Sequence, residues 1–145
     1  LRNLNLFNKN EKRIFVPCKE RISNKNYFRF ALVEAGIYPT QDVTAIFKKS
    51  NTKESIEYIL DYLNQPFVFE WLKFNGIVKG NIVEFSEKPI TSIPFKKIDW
   101  DNENEVFLHD SIREKTLIFL KNKSEKQLVE IKKMFSQLFE NQIVI

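Results

Sequence analysis

With 145 residues, 43% hydrophobic and 29% charged, the chain is long enough to bury a real core and too apolar to be a disordered tract. Fourteen Phe and two Trp point to a core built from rings, three Gly leave little room for a glycine-rich phosphate loop, and the single Cys18 excludes an internal disulfide or a multi-cysteine metal site. The net charge of +4 is polarised: residues 1–49 carry ten Lys/Arg against four Asp/Glu, residues 50–98 six of each, and residues 99–145 seven against nine, a field expected of a polyanion binder and, equally, of a Lys- and Asn-rich chain whose lysines cover solvated faces.

In chain order, Arg13 to Cys18 reads as a short buried strand ending at Pro17, and residues 19–26 as an exposed basic loop rich in turn formers. Residues 27–33 give a second strand and residues 40–48 a third around Val43–Phe47, so a curled antiparallel sheet is expected. Ser50, Asn51 and Thr52 offer caps, and Ile56, Ile59, Leu60 and Leu63 recur at helical spacing, which predicts a helix over 53–64. Pro66 opens a second short helix to Asn75, a bend runs from Gly76 to Gly80 and Asn81, and a strand follows at 82–86. Residues 88–94 form a proline-bracketed turn or helical stub. Beyond Asp99, Val106, Leu108, Ile112, Leu117, Phe119 and Leu120 give one amphipathic helix, and Leu128, Ile131, Met134, Phe135, Leu138 and Phe139 a second. The short link at 121–124 makes these an antiparallel hairpin. The expected class is α+β: a curved, mainly antiparallel β-sheet domain with packed helices over 1–98, then a C-terminal helical hairpin over 99–145.

Catalytic constellations are sparse. His109 is the only histidine, so a histidine-based zinc site cannot be built, and a surface or packing role is expected of it. Cys18 has no evident partner base. Glu54, Glu57, Asp99, Asp101 and Glu103 stand at helix starts, where carboxylates complement the dipole. No Walker loop and no dinucleotide-binding glycine motif is present.

Binding chemistry remains. Lys19, Arg21, Asn24, Lys25 and Asn26 lie in one predicted loop, with Arg29 inside the next strand. Gln41, Lys48 and Lys49 border the third strand, and Lys73, Lys79 and Asn81 cluster around the Asn75-to-Asn81 bend. Lys and Arg neutralise phosphates, whereas Arg, Asn and Gln pair with base edges in the major groove. Phosphate contacts are expected from Lys19, Lys25, Lys48, Lys49 and Lys79, and base contacts from Arg21, Asn24, Asn26, Arg29, Gln41 and Asn81. Spacing alone does not show that these residues share a face.

The run Tyr58 to Gly76, with its Leu63-Asn64 step and aromatic Phe67, Phe69, Trp71 and Phe74, resembles the helix pair of restriction-modification recognition domains. Lys88-Pro89-Ile90-Thr91-Ser92-Ile93-Pro94-Phe95 is similar to that family's closing Ile-Pro motif, and Glu105 to Ile112 to the helix opening that follows it. The pieces cover roughly residues 12–120 in the family's order. They depart from it at Gln65-Pro66, where Ser is usual, and at Phe95, which replaces a second apolar-Pro step. The resemblance is to TaqI-like C-terminal specificity domains of adenine-specific methyltransferases and type II restriction enzymes, and to the related domains of type I specificity subunits. It implies that Leu63, Trp71, Phe85, Ile93 and Pro94 are core or turn residues, that double-stranded DNA is the ligand, and that this fragment does no chemistry. It further implies an N-terminal methyltransferase domain in the parent protein, which would hold S-adenosylmethionine. A start on Leu1 rather than Met fits a segment of a longer polypeptide, and the absence of a membrane span or signal peptide in the sequence fits a cytoplasmic one. The competing expectation is a protein-interaction or spacer module acting through the C-terminal helices.

Overall fold

The computed structural model describes residues 9–17, 19–21, 30–39, 43–84 and 87–140, with backbone only for 19–21 and 87. Among them are β1 (Arg13–Pro17), β2 (Lys19–Arg21), β3 (Ala31–Val33), β4 (Val43–Ile46), α1 (Ile56–Leu63), α2 (Pro66–Asn75), β5 (Ile77–Lys79), β6 (Ile82–Glu84), α3 (Glu87–Thr91), α4 (Glu103–Asn122) and α5 (Glu125–Glu140). The chain is α+β, as its patterning predicts, and divides into two compact units: Leu1–Thr52 with Leu63–Pro94, and Lys53–Tyr62 with Phe95–Ile145.

The first unit holds two three-stranded antiparallel sheets, ordered β3-β1-β4 and β2-β6-β5. Central β1 buries Ile14 and Val16 on one side, the period-2 alternation of a strand with one face in the core. The three strands expected from 13–18, 27–33 and 40–48 thus pair around β1, with residues 22–29 and 40–42 outside the described segments. Two expectations are corrected. Residues 19–21 are not loop but strand β2, because the backbone of β6 supplies a ladder partner more than 60 residues away. Trp71 is half-buried rather than core; helix α2 instead turns Val68, Phe69 and Leu72 inward.

Leu63-Asn64 has a structural meaning. The Asn64 side-chain amide accepts from the Phe30 N–H at 3.1 Å and donates to the Phe30 carbonyl at 3.0 Å, so one side chain satisfies both backbone groups as a strand neighbour would. At the end of α2, the helix stops on Gly76. A Cβ there would lie 2.7 Å from Val83 Cγ1 and 2.9 Å from the Leu72 carbonyl oxygen, so only glycine lets β6 run this close to the helix end. Phe85 lies outside the described residues, while Ile93 is half-buried and Pro94 exposed, in the turn that follows α3.

The second unit is a helical bundle. α4 and α5 form the expected hairpin, linked by Lys123 and Ser124, with Leu108, Ile112, Ile131, Phe135 and Leu138 buried. Leu117 and Leu128, expected on the apolar seam, are exposed. α1 begins three residues later than its spacing predicts, because the cap is Ser55, whose Oγ accepts from the Tyr58 N–H at 3.1 Å. Tyr58 and Tyr62 pack in tilted and edge-on contact with Phe95 and Phe135.

The carboxylates expected only to complement helix dipoles do more. Buried Glu54 accepts from the Ile98 N–H and from Trp100 Nε1, both at 3.1 Å. Asn102 caps α4 by accepting from the N–H groups of Asn104 and Glu105. Burial alone would raise the Glu105 carboxyl, but hydrogen bonds from Lys96 Nζ and the Asp99 N–H, with the Lys96 charge, outweigh it and hold the group below the usual carboxylate range. His109 is a packing residue. Its Nε2 accepts from the Ser55 N–H at 3.0 Å, which leaves the proton on Nδ1 to donate to Asp110 at 2.9 Å, and its ring stands edge-on to Trp100.

Candidate nucleic-acid interface

The β2-β6-β5 sheet builds the site through its register. Residues directly opposite one another in an antiparallel ladder share a face. Lys19 pairs with Glu84 and Glu84 with Ile77; Arg21 pairs with Ile82 and Ile82 with Lys79. One face is therefore two rows deep, Lys19–Glu84–Ile77 and Arg21–Ile82–Lys79. The other face carries Glu20, Val83 and Val78, and Val83 is fully buried. The first face is the more exposed of the two, although Val78 on the second is also 49% exposed at the edge strand. Ile77 is 63% exposed, and the side chains of Lys79 and Glu84 are 70% and 42% exposed.

Local sequence dictates this arrangement. Gly80 adopts φ +61° at a two-residue Gly80-Asn81 turn, the geometry that closes a tight hairpin between β5 and β6. The alternation Ile77-x-Lys79 before the turn and Ile82-x-Glu84 after it then places these four residues on one side. By residue type the two rows hold three cations and one carboxylate. Lys79 Nζ stands 3.6 Å from Glu84 Oε2, an exposed ion pair of a kind that contributes about 0–1 kcal/mol and yields to a better anion.

The twelve candidate residues all fall within the chain segments of the first unit. Backbone register sets Lys19 in the row of Ile77 and Arg21 in the row of Lys79, and Asn81, exposed, stands at the hairpin turn. Lys73 lies on α2, 3.8 Å from Glu70 and over the Phe69 ring, and is not on this face. Lys48 and Lys49 follow β4 of the other sheet, half-buried and exposed respectively. Asn24, Lys25, Asn26, Arg29 and Gln41 lie outside the described residues. Sequence reasoning missed Ile77, Ile82 and Glu84. The signal was present in the two-residue Gly80-Asn81 turn between alternating segments.

The charge divides with the units. The first carries thirteen Lys/Arg against seven Asp/Glu, net +6, and the second ten against twelve, net −2. Among the described residues no cluster of three His, Cys, Asp or Glu stands ready to hold a metal ion, and no helix is long and apolar enough to cross a membrane.

Known proteins are similar to this sequence. Over 131 residues, 90% of the chain, it is 61% identical to the type II methyltransferase M.HincII of Haemophilus influenzae. It is 60% identical over the same length to the type II methyltransferase M.HindII of Haemophilus influenzae strain Rd. The chain resembles a segment of type II methyltransferases. A more distant relative, the type II methyltransferase M.MjaIV of Methanocaldococcus jannaschii, is 37% identical over 81 residues, 56% of the chain. The chain spans about a quarter of the length of these methyltransferases, 26%, 25% and 26% respectively. No protein-family model matches it.

Proposed function

We propose that this chain is the DNA-reading part of a type II restriction-modification methyltransferase, an adenine-specific, TaqI-like enzyme, and that it binds a specific double-stranded sequence without itself performing the methyl transfer. The observation that carries this reading is the open face of β2-β6-β5, where register gathers Lys19, Arg21 and Lys79 in the unit of charge +6. The chain's similarity to about a quarter of the length of two type II methyltransferases supports the same reading. Cations at the rim of such a face neutralise phosphates, and an Arg, an Asn and backbone groups within it address base edges. The two ladders in this sheet give a surface about 10 Å across, which suits a major groove about 12 Å wide.

Methyl transfer, with S-adenosylmethionine as donor, belongs on this reading to the other three-quarters of the longer polypeptide, an N-terminal catalytic domain, in a cytoplasmic enzyme. The division is physically reasonable: a base must be flipped into a closed pocket for chemistry, whereas recognition needs a rigid open surface. The further contacts assigned to Asn24, Lys25, Asn26, Arg29, Gln41, Lys48, Lys49 and Lys73 belong to this proposal as well.

Selection from a randomised duplex pool tests it. The chain is expected to enrich one motif, with affinity that falls steeply as salt rises. Retention without any enriched sequence would refute a sequence reader. A second reading, docking of another protein on the hairpin, is favoured by the exposed Leu117, Ile118, Leu128 and Val129 in the turns of α4 and α5 nearest their link. Light scattering of the chain alone and mixed with duplex separates the two.

A further inference from the structure

The open face carries one aliphatic residue in each of its rows, and neither is fully buried. Ile77 is largely exposed and Ile82 half-buried, while the core of this sheet is built by Val83 on the reverse side. By register Ile77 is in the row of Lys19 and Glu84, and Ile82 lies between Arg21 and Lys79. Aliphatic side chains interleaved with lysine and glutamate are a poor centre for a protein interface, from which both charged types are depleted. They match the major groove, where phosphates line the rim and the floor carries a single kind of apolar group, the thymine 5-methyl.

Resting on the DNA-binding reading above, we propose that Ile77 and Ile82 are specificity residues that read thymine through its 5-methyl group when the β5–β6 ribbon lies in the major groove. Glu84 is the carboxylate on this face. In the groove it gives up Lys79 to a phosphate and accepts from the exocyclic amine of cytosine, the base-edge donor that carboxylates pair with. The face then combines methyl contact, amine recognition and phosphate anchoring, the last from Lys79 at the ribbon's edge.

Uracil is the decisive probe, because deoxyuridine pairs as thymidine does and lacks only the methyl. Duplexes recovered from the randomised pool are resynthesised with deoxyuridine at each thymidine position in turn, and binding of the 145-residue chain is compared. At one or two positions the uracil duplex is expected to bind roughly fourfold more weakly, the factor for one buried methyl. Ile77→Ala, a surface change with thermal stability unaltered, and Ile82→Val are each expected to weaken the thymidine duplex and to narrow the thymine-to-uracil ratio at one position. Equal binding of thymidine and deoxyuridine duplexes by the unaltered chain overturns the inference while leaving DNA recognition intact, as does a ratio that neither substitution moves. If the pool yields no retained duplex, the DNA-binding reading fails and this inference fails with it.

Discussion

Arg13 is fully buried, yet it belongs to the scaffold. Its guanidinium donates to the carbonyls of Lys9 and Glu11 at 2.9 Å and lies 5.1 Å from the centre of the Phe47 ring, so it ties the segment before β1 to the end of β4. Lysine reproduces neither the fork nor the stacking. Arg13→Lys is therefore expected to cost about 2–3 kcal/mol in urea unfolding, the value of charge-assisted hydrogen bonds lost from the interior. Asp61 is the other buried ionisable group with a consequence. Burial pushes its carboxyl up to about 7, with the hydrogen bond to Thr116 opposing and the charge of Glu57 adding. The hydroxyl of Thr116 has one proton and also faces the Ile112 carbonyl at 2.7 Å. A protonated Asp61 satisfies both contacts by donating to Thr116 Oγ1 while that hydroxyl donates to Ile112. Because the folded carboxyl holds its proton more tightly than the unfolded one, its contribution is complete below about pH 4 and is lost as pH rises through about 7. Asp61→Asn keeps a donor and removes the titration. Its unfolding free energy is expected to fall less than that of the unaltered chain between pH 4 and pH 7, by a few kcal/mol. Parallel pH profiles for the two proteins would refute a protonated Asp61.

The helix ends show how much of each element was written locally. α4 closes on Lys123 at φ 56°, a left-handed position that glycine occupies without strain, and the Lys123 N–H still reaches the Phe119 carbonyl at 2.7 Å. Lys123→Gly is expected to raise stability by about 1 kcal/mol, seen as a higher Tm. At the opposite end, Asn102→Ala is expected to cost about 1 kcal/mol, since two N–H groups lose their acceptor. Elements with their own periodicity, such as β1 and the α4–α5 hairpin, were legible from the sequence for this reason. β2 was not: Lys-Glu-Arg carries no apolar alternation, and the residues become a strand only because β6 offers its edge. The same limit governed the site. Residue type alone proposes Lys19, Arg21 and Lys79 as binding chemistry, but their place in adjacent rows depends on the register of β6 against two strands, one of them distant in the chain. Trp71 shows the converse error: the family resemblance implied a core or turn residue, whereas the helix turns its neighbour Leu72 inward and leaves Trp71 half-buried.

At the scale of the whole molecule, charge separates into a unit of +6 and a unit of −2, so the position of a charge and its amount can be varied apart. If duplex DNA sits on the open face, each cation lost from it releases one fewer counterion on binding. Lys19→Ala and Lys79→Ala should then each reduce the slope of log affinity against log salt by about 1 and weaken all sequences alike, because phosphate contacts carry no sequence information. Arg21→Ala, if Arg21 reaches a base, should cost about 1–3 kcal/mol and relax one position of the selected motif. Removing exposed Lys126 and Lys132 from α5 changes the net charge by the same amount as removing Lys19 and Lys79. That double variant should leave the slope and the motif untouched, since an interface responds to where charge is and a diffuse field responds mainly to how much there is. Equal losses from the two double variants would move the DNA off the β2-β6-β5 face and make the basic composition of the chain, rather than the register of one small sheet, the source of its affinity.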